Sequence, residues 1–183
     1  MRIRVEVGDA TEIRGVPALV VPANKQLTLG WGSHVAERVL KLAGAEVERE
    51  ALTAHPKGIE LGEAVLTSAG RMTSFTHLVH AAVLDKFDFN PLFLLKLKAR
   101  TSRETLSRAT RAALERASAA GLSGVVFTPM GAGIGGMSDA RCAETMLAAI
   151  DDFLGRSGSS PVQEIVIACF KDKTANYFQR RDA

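Results

Sequence analysis

Charged and β-branched positions alternate with period two in RIRVEV (residues 2–7), which predicts a strand with one covered face. VPALVVPA (16–23) is apolar almost throughout, the pattern of a strand buried on both faces. From Ser33, a residue type that caps helices, Val35, Val39, Leu40, Ala43 and Val47 recur near helical spacing. One helix is therefore expected from there into the low fifties. Glu37, close to its start, suits the positive end of the helix dipole.

GEAVLTSAG (62–70) and FTHLVHAAVL (75–84) predict two strands joined by a short turn. DKFDFNPLF (85–93), with its Asp, Asn and Pro, predicts an irregular connection. Residues 102–120 carry a helical pattern stopped by Gly121, GVVFTPM (124–130) reads as a short buried strand, and 138–154 as a helix with Ala143, Met146, Leu147, Ile150 and Leu154 on one face. VQEIVIACF (162–170) is the last predicted strand and KTANYFQRR (173–181) a short terminal helix. Strands alternating with helices predict an α/β layer fold around an at least partly parallel sheet. A chain of 183 residues fits one domain, expected to span 1–183. In such sheets ligands gather beyond the carboxyl ends of strands, where loops lead into helices.

Composition excludes more than it selects. A formal net charge of +3 tolerates an anionic ligand but is too small to argue for direct nucleic-acid binding, which is not expected. The excess is local: Lys96, Lys98, Arg100, Arg103, Arg108, Arg111 and Arg116 stand against only Glu104 and Glu115. That run reads as a solvated helix face, with a polyanion-facing surface as the alternative. Cys142 and Cys169 both fall in apolar patterns and read as small buried hydrophobes. His77 and His80, three apart in one strand, belong to opposite faces, and four scattered histidines make no metal set; no metal and no cofactor are expected. The amino end has no apolar leader, and no apolar run approaches the roughly 18 residues of a membrane span, so a cytoplasmic protein without membrane contact is expected.

Candidate chemistry enters with TPMGAGIGGMSDA (128–140), where Gly131, Gly133, Gly135 and Gly136 crowd into six positions between a strand and a helix. So bare a backbone is entropically costly unless another group must approach it closely. Gly131, Gly133 and Gly136 satisfy GxGxxG, yet the acidic residue that a dinucleotide fold places at the end of the next strand is missing, because Asp151 and Asp152 fall inside the helix. The spacing also imitates a nucleotide-hydrolase loop, but Met137 occupies the lysine position. What survives is the physics common to both motifs: backbone N–H groups feeding a helix start, an anion cradle. Ser138 can cap that helix, and Asp139 would oppose an anion directly above it, which places phosphates over the glycines. ANKQLTLGWGSHVA (23–36) repeats the arrangement with Gly30, Gly32 and Ser33, so two loops could grip two neighbouring phosphates.

With VGDATEI (7–13), residues 17–44, GEAVLTSAG, THLVHAAV (76–83) and residues 127–140 in this order, most of the chain resembles the macro domain family, whose members bind ADP-ribose. The resemblance implies a three-layer α/β/α fold with a central mixed, partly parallel sheet. By position, Asp9 resembles the carboxylate that accepts from the adenine amino group, with Ala10 beside it; Asp9 also reads as a turn residue after Gly8. Asn24 matches the last Asn of a strand ending NAAN, which holds the distal ribose, and equally fits a residue that tolerates a left-handed turn at a strand end. Gly32, Ser33, His34 and Val35 correspond to the first phosphate loop, and Gly131, Ala132, Gly133, Ile134 and Gly135 to the second. Phe170 matches an aromatic that packs on adenine, its alternative being a core residue at a strand end.

The chain departs from the family pattern at Val21 and Pro22, at Gly135, where an aromatic is common, and at Trp31, which reads as a lid or as a shield for the strand below. Members that cleave protein-linked ADP-ribose often carry an Asp in the helix-opening segment; here Ala36 stands in its place and has no proton to transfer. His34 is the nearest titratable substitute, and Asn24 with His34 are the catalytic candidates. Three readings follow: a binder of ADP-ribose or of ADP-ribosylated macromolecules; a hydrolase removing ADP-ribose from protein or nucleic-acid esters, or phosphate from ADP-ribose 1″-phosphate; and an interaction domain whose loops no longer bind nucleotide.

Overall fold

The stretch ALVVPAN, apolar up to Asn24 and buried throughout, needs a sheet covered on both sides, and the chain builds such a sheet. The structure, a computed structural model, describes residues 2–30, 33–87, 99–156 and 160–179. Its strands are β1 (Arg2–Val7), β2 (Ala18–Asn24), β3 (Ala64–Ser68), β4 (His77–Leu84), β5 (Gly124–Phe127) and β6 (Glu164–Cys169), in the order β1-β6-β5-β2-β4-β3. All neighbours run parallel except β3 and β4, so the sheet is mixed.

The helices are α1 (His34–Ala43), α2 (Ala45–Ala54), α3 (Arg103–Ala119), α4 (Asp139–Arg156) and α5 (Asp172–Gln179). Alternation along the strands sorts the core. Ala18, Val20, Val125, Phe127, Ile165 and Ile167 face α3 and α4, while Leu19, Val21, Val126 and Val166 face α1. The three-layer α/β/α arrangement is thus written in the strand periodicity, with each large aliphatic side chain so buried contributing about 1.5–3 kcal/mol.

Several boundaries differ from expectation. The helix expected to run unbroken from residue 33 is two helices, parted at Gly44 with φ +93°. Ala43 C=O, which a continuous helix would give to Val47, instead accepts the N–H of Arg71 at 2.9 Å from the β3–β4 turn, and that tertiary bond breaks the run. GVVFTPM is strand only to Phe127. The positive-φ turn sits not at Asn24 but at Leu27, φ +60°, a fully buried residue packed against Ala51, Ile59 and Val65. Trp31, Gly32, Lys96 and Lys98 lie outside the described residues.

The basic run of α3 is spent largely within the molecule. Arg103 pairs with Glu144 at 2.6 Å, Arg111 with Asp152 at 3.3 Å, and Arg116 donates to Ala64 C=O at 2.9 Å. Such contacts tie α3 to α4 and β3. Among the described residues no helix is long and apolar enough to cross a membrane.

Candidate functional site

The chain leaves β2 on one face and reaches β4, then crosses to the other face and returns to β5 on the opposite side of β2, so the strand order reverses there. β2 pairs with β5 only at Ala18 and Leu19, and beyond that point the two strands part. Pro22 lies in the parted segment, where its missing N–H breaks no ladder; its C=O accepts from Ser33 Oγ at 3.3 Å instead. A cleft of about 740 Å³ opens at this reversal, beyond the carboxyl ends of β2, β4, β5 and β6.

The start of α1 and the second glycine loop both reach it. Ser33, His34 and Val35 line it, as do Ala132, Gly133 and Ile134 and, just after β5, Thr128, Pro129 and Met130. Ser33 caps α1, its Oγ accepting from Ala36 N–H at 3.1 Å, which leaves the first-turn amides of His34 and Val35 without intrahelical partners. His34 is exposed, whereas Ala36 is buried in the core against α1's neighbours and does not line the cleft.

The glycines of the second loop divide by cause. A Cβ on Gly135 would stand 2.6 Å from Gly131 C=O, and Gly136 has φ +73°, so these two are bare because the loop folds back on itself. A Cβ on Gly133 would meet nothing within 4 Å, and the fold alone does not require that glycine. The amides divide likewise. Ala132 N–H reaches Pro129 C=O at 3.2 Å, Gly136 N–H reaches Gly133 C=O at 3.0 Å, and Met137 N–H reaches Gly131 C=O at 3.0 Å. Those of Gly133, Ile134 and Gly135 have no partner among the described residues. Below the loop, burial pushes the Cys142 thiol up to about 11 and the Cys169 thiol up to about 12, so both stay protonated and act as core atoms.

The far end of the cleft is formed by Ala10, Ala168 and Phe170, the last 65 % exposed and so no core residue. Asp9 stands next to this end but does not line it: Oδ1 accepts Thr11 N–H and Oγ1–H at 2.8 and 2.7 Å, and Oδ2 pairs with Arg38 Nε at 2.6 Å. Asn24 is fully buried, its Nδ2 donating to Thr28 C=O at 2.7 Å and its Oδ1 accepting Thr28 N–H at 3.3 Å, so its amide fastens the turn that leads into the first loop. The structure therefore brings together Ala10, Ser33, His34, Val35, Ala132, Gly133, Ile134 and Phe170, sets Gly131 and Gly135 behind the loop surface, and keeps Asp9 and Asn24 engaged within the protein.

Among the lining residues that sequence reasoning did not place in the site are Pro22, Glu37, Leu84, Ala168, Lys171 and Thr174. Leu84, Ala168 and Lys171 lie at or just beyond the carboxyl ends of strands, and that position was the available signal, while Thr174 stands in the first turn of α5. Thr174 Oγ1 donates to Asp139 Oδ2 at 2.8 Å, joining the starts of α4 and α5 along the cleft. Among the described residues no group of His, Cys, Asp or Glu is placed to share a metal ion.

A protein of Aquifex aeolicus with no assigned role is 35% identical over 153 residues, 84% of this chain and 83% of its own. An O-acetyl-ADP-ribose deacetylase of Citrobacter rodentium is 28% identical over 98% of this chain and 94% of its own. The macrodomain of Trypanosoma brucei, solved in complex with ADP-ribose, superposes with a TM-score of 0.79 at 21% identity, over 99% of this chain and 69% of that one, a likeness of fold. The sequence model of the macro domain matches residues 20–146, from the middle of β2 through the first half of α4, and so takes in both glycine loops. The chain belongs to the macro domain family.

Proposed function

We propose that this cleft binds ADP-ribose, free or attached to a macromolecule, with the diphosphate between the two glycine loops and the adenine at the Ala10–Phe170 end. The observation that carries the reading is the pair of unpartnered amides at Gly133 and Ile134, on the same cleft that the first turn of α1 lines. Successive N–H groups left free at an exposed turn form a concavity in which one anion can satisfy several at once. Asp9 supplies an acceptor beside the adenine end, Phe170 an exposed ring, and Asn24 supports the first loop from within. Gly32 continues that loop in the reading, and Gly131, Ala132 and Gly135 shape the second. No cofactor enters this binding, and the cytoplasm is the compartment assigned to it.

Titration calorimetry with ADP-ribose tests the reading: saturable heat is expected, and its absence at millimolar ligand removes it. A second reading, hydrolysis of ADP-ribose derivatives, is favoured by the deacetylase relative and by His34 and Glu37, both exposed on the cleft wall where a bound water could be polarised. Incubation with O-acetyl-ADP-ribose, mono-ADP-ribosylated protein and ADP-ribose 1″-phosphate separates the two, since a binder returns each unchanged.

A further inference from the structure

The sheet has two edges, β1 and β3, and the chain treats them differently. On β3, where Ala64 and Ser68 turn outward, side chains cover the backbone: Arg116 Nε donates to Ala64 C=O at 2.9 Å, Glu50 accepts Ser68 N–H at 3.0 Å, and Thr67 Oγ1 donates to Ser68 C=O at 3.0 Å. The β1 edge has no such cover. Arg2 N–H goes to Gln163 C=O at 2.8 Å and Gly8 N–H to Cys169 C=O at 2.9 Å, so the even-numbered residues bond β6 and the backbone of Ile3, Val5 and Val7 turns outward. Among the described residues nothing bonds those outward groups. An open row of this kind is a template for another strand.

The side chains decide which strand fits. Arg4 and Glu6 share one face, Arg4 pairing with Glu6 and, at 2.8 Å, with Glu164, while Val7 on the other face is 51% exposed. An antiparallel copy centred on Val5 sets Val5 against Val5 and Ile3 against Val7, each pair exchanging its outward bonds. The same register puts Arg4 of either copy directly opposite Glu6 of the other. Moving the centre by one residue opposes Arg4 to Arg4 or Glu6 to Glu6, a like-charge contact that disfavours it.

We propose that this edge joins two copies of the chain, β1 to β1, into one continuous sheet. The cleft lies beyond the carboxyl ends of strands that run parallel to β1, so the two clefts open at opposite ends of the pair. A single strand edge is a small contact, and the pair is therefore weak and concentration-dependent.

Sedimentation equilibrium from about 1 μM to about 1 mM, the range in which weak complexes dissociate, tests the pairing. Wild type should pass from monomer to dimer across that range. Val5→Pro removes an outward N–H while sparing the β1–β6 ladder, and should weaken association about tenfold or more. Glu6→Arg and Arg4→Glu, which set like charges opposite each other, should each be monomeric alone with circular dichroism as in wild type. Mixed in equal amounts they should form a heterodimer, because every charge then meets its opposite. A wild type that stays monomeric throughout, a dimer that survives in Val5→Pro or Glu6→Arg, or a mixture that does not associate overturns the proposal.

Discussion

His80 Nε2 and Thr67 Oγ1 stand 2.9 Å apart between β4 and β3, both side chains buried. The Thr67 hydroxyl spends its own proton on Ser68 C=O at 3.0 Å, so His80 must be the donor, and its Nδ1 is left as a buried lone pair without a partner. A second proton on that fully buried ring would find no acceptor among the described residues.

Burial accordingly pushes the His80 pKa down from 6.5 to about 4, against a smaller upward pull from Glu50. Between those values the unfolded chain binds the proton and the folded chain refuses it. The stabilising contribution is therefore complete above pH 6.5 and is lost as pH falls towards 4, by about 3 kcal/mol. Urea denaturation across pH 7.5 to 4 should show this decline, and His80→Leu should flatten it relative to wild type.

Gly133 and Gly135, two positions apart, should answer substitution oppositely. Gly133→Glu enters open space, so the protein should melt as wild type while ADP-ribose binding disappears through bulk and charge. Gly135→Ala forces a methyl against the Gly131 carbonyl and should cost roughly 1–3 kcal/mol of stability, read by chemical denaturation.

Asn24→Ala removes the side chain that binds Thr28 on both its N–H and C=O and helps to hold Leu27 at positive φ. Loss of about 1–3 kcal/mol is expected from the abandoned buried groups, with weaker ADP-ribose binding as the first loop loosens. Denaturation and calorimetry on the same sample check both.

Phe170→Ala should leave stability within about 0.5 kcal/mol, because the ring is mostly exposed. If the ring stacks on adenine, affinity should fall about tenfold, within the range for one base on one aromatic face. Calorimetry with ADP-ribose reads the change.

Strand faces and layer order were legible in the sequence because period-two patterning is a local property: alternate residues of β2, β5 and β6 sort onto opposite helices as their order predicts. That Ser33 and Gly133 line one cleft is in keeping with reading both segments as strand-to-helix turns at the same end of one sheet. The break at Gly44 was not legible, since it depends on Arg71, a partner 27 residues on whose N–H takes the Ala43 carbonyl. Nor was the commitment of Asp9 to Arg38 or of Asn24 to Thr28, because a residue type announces which bonds it can make and not which neighbour claims them.

Pro22 has a consequence for how a ligand enters. A sheet with a gap between two parallel strands tends to zip up, each new rung drawing the next together. At Pro22 the rung cannot form from the β2 side, because the residue has no hydrogen to give and its oxygen is already held by Ser33. Continuing the register of Ala18 and Leu19 would set Pro129 opposite Pro22, so neither chain has a hydrogen to offer there, and the open mouth of the cleft belongs to the folded sheet itself.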